Sequence, residues 1–276
     1  MKSRMTHRCH KTHLNAAASI TSSNLGDCDN SEFSYKKMPP RLILLDRDGV
    51  INHDVGAPGV LHPSQLELTS GAATAIADFR TKLQAKIAII TNQSCVGKGL
   101  IDERNDLKKI HDKLQKMLLD DDERAVIDKI FYCTSLRNSN DYRMKPNPGM
   151  IHEACDYFGI HASHCVMIGD AIRDLEAAAS AGVPSRILVE TGYGLDVMNG
   201  EKAPSCDEEN GKLVTFVDDK YCNNLGWNNI LVRGQTQWQG AAKSNGDDTN
   251  STFLPFFYAK DLATASSWIL QDIDQS

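Results

Sequence analysis

The sequence predicts an α/β fold, a doubly wound and mostly parallel sheet, and three features carry that prediction. Short continuous apolar runs recur along the chain, as expected of strands buried on both faces. Segments with apolar residues at helical spacing separate these runs. Strand and helix therefore alternate, which is how a parallel sheet with crossover helices reads in sequence. No internal repeat is present.

The first run, residues 42–45, ends abruptly in Asp46 and Asp48, one residue apart and followed by Gly49. Acids at this point sit where a strand leaves the sheet, the usual ligand position in open α/β folds. Alternate strand positions point the same way, so both carboxylates are expected to face one pocket, where a cation would relieve their repulsion. On its own this pattern also suits a turn or a calcium loop. A glycine- and proline-rich loop follows at 51–59, a position that commonly carries substrate contacts and here offers Asn52 and Asp54.

Residues 71–83 have apolar positions at helical spacing, and 86–90 form a second buried strand ending at Thr91, Asn92, Gln93 and Ser94. A loop at 95–99 carries Lys98, and an amphipathic helix runs over 102–119. The Gly97-Lys98-Gly99 triplet lacks the upstream glycine and the Lys-Ser/Thr ending of a nucleotide P-loop. Acids 120–123 read as a solvated turn. A third strand at 130–133 leads through a polar loop to Arg143, Met144, Lys145 and Pro146, then to a short helix at 150–158 started by Pro148-Gly149. The fourth strand, 165–169, ends in Asp170. Helix 172–181 stops at Gly182-Val183-Pro184, and a fifth strand covers 186–190.

Regularity then breaks. Residues 196–252 are rich in Asn, Gly, Asp and Lys, with apolar fragments at 213–217 and 230–232, and read as a partly disordered insertion with one hairpin. Residues 253–276 return to the core as a last strand and helix. The expected organisation is thus a tail at 1–38, a core at 39–195, the insertion at 196–252 and a closing element at 253–276.

Composition narrows the function classes. The hydrophobic fraction of 41% supports a sizeable core, and the formal charge of −6 argues against a nucleic-acid binder. No apolar run approaches membrane-spanning length. The 8 cysteines are scattered with no Cys-x-x-Cys pair, which reads as reduced intracellular thiols. The tail up to Gly26 is basic and free of acids, as in an organelle transit peptide, but Asp27, Asp29 and Glu32 end that pattern, so a disordered tail on a cytoplasmic protein is expected, with a mitochondrial or plastid transit peptide as the alternative.

In a parallel sheet the strand ends open on one edge. One pocket should therefore collect Asp46, Asp48, Thr91, Asn92, Lys145 and Asp170. The chemistry that needs this set is phosphoryl transfer. Asp46 is the expected nucleophile, forming an aspartyl-phosphate, and Asp48 the acid and base for the leaving oxygen and the water. Thr91 and Asn92 would bind phosphoryl oxygens, and Lys145 would offset their charge. Asp46, Asp48 and Asp170 are the expected Mg²⁺ ligands, Asp48 through its backbone carbonyl. Asp174, at i+4 from Asp170, would hold Lys145 or a metal-bound water. Threonine caps, Lys-Pro turns and Gly-Asp helix starts each have a bland reading, but not all of them in order at successive strand ends.

These residues resemble the haloacid dehalogenase superfamily of phosphatases, with Asp46-Arg47-Asp48-Gly49-Val50, Thr91, Lys145-Pro146 and Gly169-Asp170-x-x-x-Asp174 matching its four motifs. More narrowly, Leu45-Asp46-Arg47-Asp48-Gly49-Val50-Ile51-Asn52, Thr91-Asn92-Gln93-Ser94 and Lys145-Pro146-Asn147-Pro148-Gly149-Met150 are similar to the histidinol-phosphatase and heptose-1,7-bisphosphate phosphatase family. The resemblance implies a Rossmann-like core and a Mg²⁺-dependent phosphatase of a small phosphorylated metabolite, such as heptose 1,7-bisphosphate. Alternatives are histidinol phosphate, a 3′-phosphorylated nucleic-acid end, or a scaffold on a retired phosphatase fold, the last opposed by Asp46, Asp48, Lys145 and Asp170 standing together.

Two departures from that family matter. The heptose-bisphosphatase group carries a zinc loop of Cys, His and paired Cys before its Lys-Pro, whereas this chain has only Cys133 in a comparable place, so no structural zinc is expected. That group also has Arg directly before the motif lysine. Here Met144 stands there, and Arg143 is the candidate substitute. Loop, helix and strand consume the intervals 46–91 and 91–145, so no large cap domain fits. Selectivity would fall to the loop at 52–59, the turn at 96–99 and the late insertion.

Overall fold

The computed structural model describes residues 39–198, 214–217, 228–232 and 252–274. The expectations for the tail at 1–38 and for most of the 196–252 segment lie outside these residues.

Strands β1 (Leu42–Leu45), β2 (Lys86–Asn92), β3 (Lys129–Cys133), β4 (Cys165–Gly169), β5 (Ser185–Val189) and β8 (Thr252–Ala259) are mutually parallel in the order β3-β2-β1-β4-β5-β8. Strands β6 (Val214–Val217) and β7 (Asn228–Val232) pair antiparallel with each other and, through β7, with β8. The apolar fragments within 196–252 thus extend the sheet edge. Helices α1 (Ala72–Thr81), α3 (Lys108–Asp121), α4 (Gly149–Phe158), α5 (Ile172–Ser180) and α7 (Leu262–Asp274) are the longer connecting elements. Short turns α2 (Ser94–Gly97) and α6 (Gly194–Met198) follow β2 and β5.

Strand alternation explains the two-layer core. On β1, Ile43 and Leu45 face one side, with Ile87, Ile89 and Ile168, under Ile76 and Phe79 of α1, Ile110 and Leu114 of α3 and Leu262 of α7. Leu42 and Leu44 face the other side, with Ile90, Phe131 and Met167, under Met150 and Ala154 of α4 and Ala178 of α5. Burial on both faces is why these strands read as continuous apolar runs. From β1 the chain winds outward through β2 to β3, then returns to place β4 on the other side of β1. The crevice beyond the ends of β1 and β4 lies at that reversal.

Two expectations are corrected. Strand β2 runs to Asn92, two residues further than the apolar run, because Thr91 and Asn92 still pair with Tyr132 and Cys133. The loop expected at 95–99 begins instead as the α2 turn from Ser94 to Gly97, closed by Lys98 N–H donating to Ser94 O. No large cap interrupts 46–91 or 91–145, and among the described residues no helix is long and apolar enough to cross a membrane.

Candidate active site

Asp46 lies one residue past β1, where its N–H continues the ladder by donating to Ile168 O at 3.0 Å. Its carboxylate accepts from Arg47 N at 2.7 Å and pairs with Lys145 Nζ at 3.0 Å. Lys145 reaches it from the loop between β3 and α4. The ammonium is buried and also meets Asp174 Oδ1 at 2.7 Å and Ile90 O at 2.7 Å. Asp174 sits in the first turn of α5 and caps it by accepting from Ala171 N at 3.0 Å. Asp170 is fully buried. One oxygen accepts from Tyr193 N at 3.0 Å, while Oδ1 has no partner.

Oxygens of Asp46, Asp170 and Asp174 all lie within 4.8 Å of one another. Gly49 (φ 81°) and Gly192 (φ 69°) enclose Asp170, and a Cβ on either would overlap its carboxylate. Three buried acids against Lys145 and the nearby Arg173 leave the cluster short of positive charge. Burial, then Asp174 and Asp46, accordingly push Asp170 well above the carboxylate range. Burial pushes Asp46 up to about 6, although Lys145 works against it. Lys145 is held charged: burial opposes this, but Asp174 and Asp46 prevail. An unpartnered buried oxygen among hard carboxylate donors fits a small divalent cation.

Asp48 lies close enough to Asp46 for its charge to add to burial in raising the Asp46 pKa, but its own carboxylate is tied to partners other than the acid cluster. The chain turns at once after Asp46, with Ile51 and Asn52 N–H groups both donating to Arg47 O, so the two acids do not share the alternation of an extended strand. The Asp48 carboxylate is gripped by Arg47 (Nη2 to Oδ2, 2.8 Å), Asn52 Nδ2 (2.9 Å) and Gln93 Nε2 (3.1 Å). Burial works to raise it, but Arg47 and then Asn52 hold it below the usual range. The carboxylate trio is therefore completed by Asp174, not by the Asp48 side chain.

Several expected substrate contacts have other work. The Asn92 amide binds both backbone groups of Lys145 (Nδ2 to O and N to Oδ1, each 3.0 Å), so it positions the lysine and keeps one N–H of its NH₂ for another acceptor. Asn52 is fully buried, its NH₂ engaged by Asp48 and His53 O. Arg143, two residues before the motif lysine, pairs with Glu153 on α4 at 2.8 Å. Lys98 is exposed at the end of α2 with no partner for its ammonium among the described residues. Thr91 is buried, and its Oγ1 accepts from Gln93 Nε2 at 2.9 Å. Asp54 lies at the mouth, accepting from Gly56 N and bonded to the Tyr193 phenol.

Sequence reading missed Arg47, Gln93, Arg173 and Gly192-Tyr193. The signal for the last pair was present, since β5 is parallel and its end must open on the same edge as β4. Arg47 and Arg173 stood as spacers inside recognised motifs. Arg173 lies over the Tyr193 ring, 5.9 Å from its centroid, and Asp174, Asp170 and Asp46 hold it charged despite burial.

Behind Asp48, His111 of α3 is buried against Tyr132 with Nε2 unpartnered. Burial, helped by Arg47, pulls it down to about 3. Its neutral form is thus the folded form. As pH falls below 6.5 the unfolded chain takes up this proton first, and stability declines by about 1.4 kcal/mol per unit until about 3. A His111→Leu variant should keep the wild-type melting temperature at pH 7.5 and exceed it at pH 5. Parallel loss in both proteins on acidification would refute this.

A family model described as haloacid dehalogenase-like hydrolase matches residues 47–182. The chain is 36% identical over 154 residues to a D-glycero-beta-D-manno-heptose-1,7-bisphosphate 7-phosphatase of Bordetella bronchiseptica, covering 56% of this chain and 83% of the relative. The Neisseria meningitidis protein of the same name is 31% identical, over 64% of this chain and 92% of its own length. Among solved structures, the D,D-heptose 1,7-bisphosphate phosphatase from B. bronchiseptica, complexed with magnesium and phosphate, superposes with a TM-score of 0.60 at 27% identity, covering 84% of this chain and 99% of that one.

Proposed function

The chain belongs to the haloacid dehalogenase-like hydrolases and is a phosphoric monoester hydrolase, and from that premise we propose that it is a Mg²⁺-dependent phosphatase of a sugar bisphosphate, heptose 1,7-bisphosphate being the substrate of its named relatives. The observation that carries this reading is the convergence of buried Asp46, Asp170 and Asp174, two of them paired with the Lys145 ammonium, beyond the strand ends of a parallel sheet.

Asp46 attacks phosphorus and the ester P–O bond breaks. The leaving oxygen takes a proton from Asp48, whose side chain is 21% exposed and so can be recharged from solvent. Asp48, then ionised, removes a proton from water, which attacks the aspartyl-phosphate and releases orthophosphate and the Asp46 carboxylate. Arg47 and Asn52 keep Asp48 ionised for the second half, so the proton it passes on in the first half is one that solvent delivers. Thr91 donates to a phosphoryl oxygen, and Lys145 offsets the charge of nucleophile and phosphate together. Asp46 and Asp170 by carboxylate, and Asp48 by backbone carbonyl, are the residues that would hold Mg²⁺, with Asp174 fixing Lys145 beside them. When bound, the ion supplies positive charge against the phosphoryl oxygens.

Without a large cap, the substrate's own body must shield the reaction, which favours a bisphosphate over a small monoester. Phosphate release should be measured with heptose 1,7-bisphosphate, histidinol phosphate and 3′-phosphorylated DNA. Turnover lost to EDTA and restored by Mg²⁺, with the bisphosphate preferred by about tenfold or more, is expected. Preference for either other substrate would redirect the assignment, and no turnover on any would end it.

The reading includes no structural zinc. The loop that delivers Lys145 is closed instead on Asp141, which accepts from Ser135 Oγ, from Cys133 Sγ at 3.6 Å and from Arg143 N at 2.8 Å, while its carbonyl accepts from Asn147 Nδ2. Elemental analysis of the purified protein should find zinc far below one per chain.

A further inference from the structure

We propose that Gln93 is a positioning residue that couples phosphate capture to proton transfer, by aiming the Thr91 hydroxyl and holding Asp48 with one amide nitrogen. The inference rests on the phosphatase reading above.

Gln93 is buried and its main chain is fixed from both sides. Its N–H donates to Cys133 O at 2.7 Å, and its carbonyl accepts from Val96 N in the α2 turn. Its Nε2 lies 3.1 Å from Asp48 Oδ2 and 2.9 Å from Thr91 Oγ1, while Oε1 faces Cys95 Sγ at 3.7 Å. The assignment of amide nitrogen and oxygen follows from chemistry. An ionised carboxylate only accepts, so the atom against Asp48 must be the NH₂. The second N–H of that group then points at Thr91, which makes the threonine oxygen an acceptor.

A hydroxyl has a single proton. With Oγ1 accepting from Gln93, that proton needs an acceptor elsewhere, and no described residue provides one. Thr91 is therefore kept as a free donor on the side where a phosphoryl oxygen would arrive. The same amide limits where Asp48 can place its oxygens relative to that phosphate. One residue, absent from the four motifs, thus sets a donor for the phosphate and the orientation of the acid for the leaving group.

The test is a comparison of two substrates with different needs. p-Nitrophenyl phosphate has a leaving group that departs without a proton, whereas a sugar phosphate does not. Gln93→Leu removes both donors at similar volume. Gln93→Glu keeps the shape and sets an acceptor against Asp48. Both variants are expected to lose about 30-fold or more in kcat on the sugar phosphate, yet only about threefold on p-nitrophenyl phosphate. Inhibition by inorganic phosphate should weaken in Gln93→Leu to the level of Thr91→Val, and the double variant should be no weaker than either alone. Equal losses on both substrates, or additive losses in the double variant, would show a merely structural role. Wild-type protein inert on both substrates would instead overturn the phosphatase reading itself, and inorganic-phosphate binding would still judge the Thr91 half. Should Gln93→Leu fail to fold, Gln93→Glu answers the same question.

Discussion

Asp46→Asn is expected to lower turnover by at least about 10⁴-fold while leaving the metal-free fold as stable as wild type or more so. The two halves of this outcome share one cause. Burial pushes Asp46 up to about 6, against 3.8 in the unfolded chain, even with Lys145 at 3.0 Å. A carboxyl with a raised folded pKa binds its proton more tightly when folded. Between pH 4 and 6 the unfolded chain releases that proton first, so the stability contribution is present in acid and is lost as pH rises. At pH 7.5 the ionised side chain therefore costs on the order of 2–3 kcal/mol. The amide removes that cost, and Lys145 still keeps Asp174 and Ile90 O. Melting in EDTA at pH 7.5 should give the variant an equal or higher midpoint. Millimolar Mg²⁺ should raise the wild-type midpoint and leave the variant nearly unmoved. A variant that melts well below wild type in EDTA, or retains turnover, would contradict the assignment of Asp46 as a destabilising nucleophile.

The location of this site was legible because β1, β2 and β4 are adjacent and parallel, so residues following three separate apolar runs had to meet at one edge. Lys145 was found by its motif, and Asp174 by its helical spacing from Asp170. The direction of each side chain was less legible. Alternation placed Asp46 and Asp48 together, but it holds only in extended chain, and the turn closed on Arg47 O begins immediately after β1. Asn92 and Asn52 have the right polarity for substrate. Neither polarity nor spacing reveals that Lys145 already engages the Asn92 amide or that Asp48 and His53 O take both donors of Asn52. Arg47 looked like a spacer because an arginine rarely lies fully buried, and only the grip on Asp48 accounts for it. Resemblance thus locates the chemistry, while the hydrogen bonds within the fold show which side chains are already engaged there.

Lys145→Met should be the most disruptive single substitution, in both fold and function. Its ammonium is buried and is the contact shared by Asp46 and Asp174, with Asp170 close by. Methionine matches the volume, so packing loss is small, and the effect isolates the charge. What remains is three buried carboxylates with Arg173 as the nearby cation, and breaking a buried ion pair from one side costs roughly 3–5 kcal/mol. Asp46 would respond by holding its proton, out of the ionised form that attack on phosphorus requires. Turnover should fall by about 10³-fold or more. The distinguishing measurement is rescue. A divalent cation stabilises the ionised cluster from a different side, so Mg²⁺ should raise the melting temperature of Lys145→Met by more than it raises wild type, while turnover stays low. Stability restored together with activity would mean that Lys145 serves only the fold. Stability unaffected in EDTA would mean that the three acids do not share its charge.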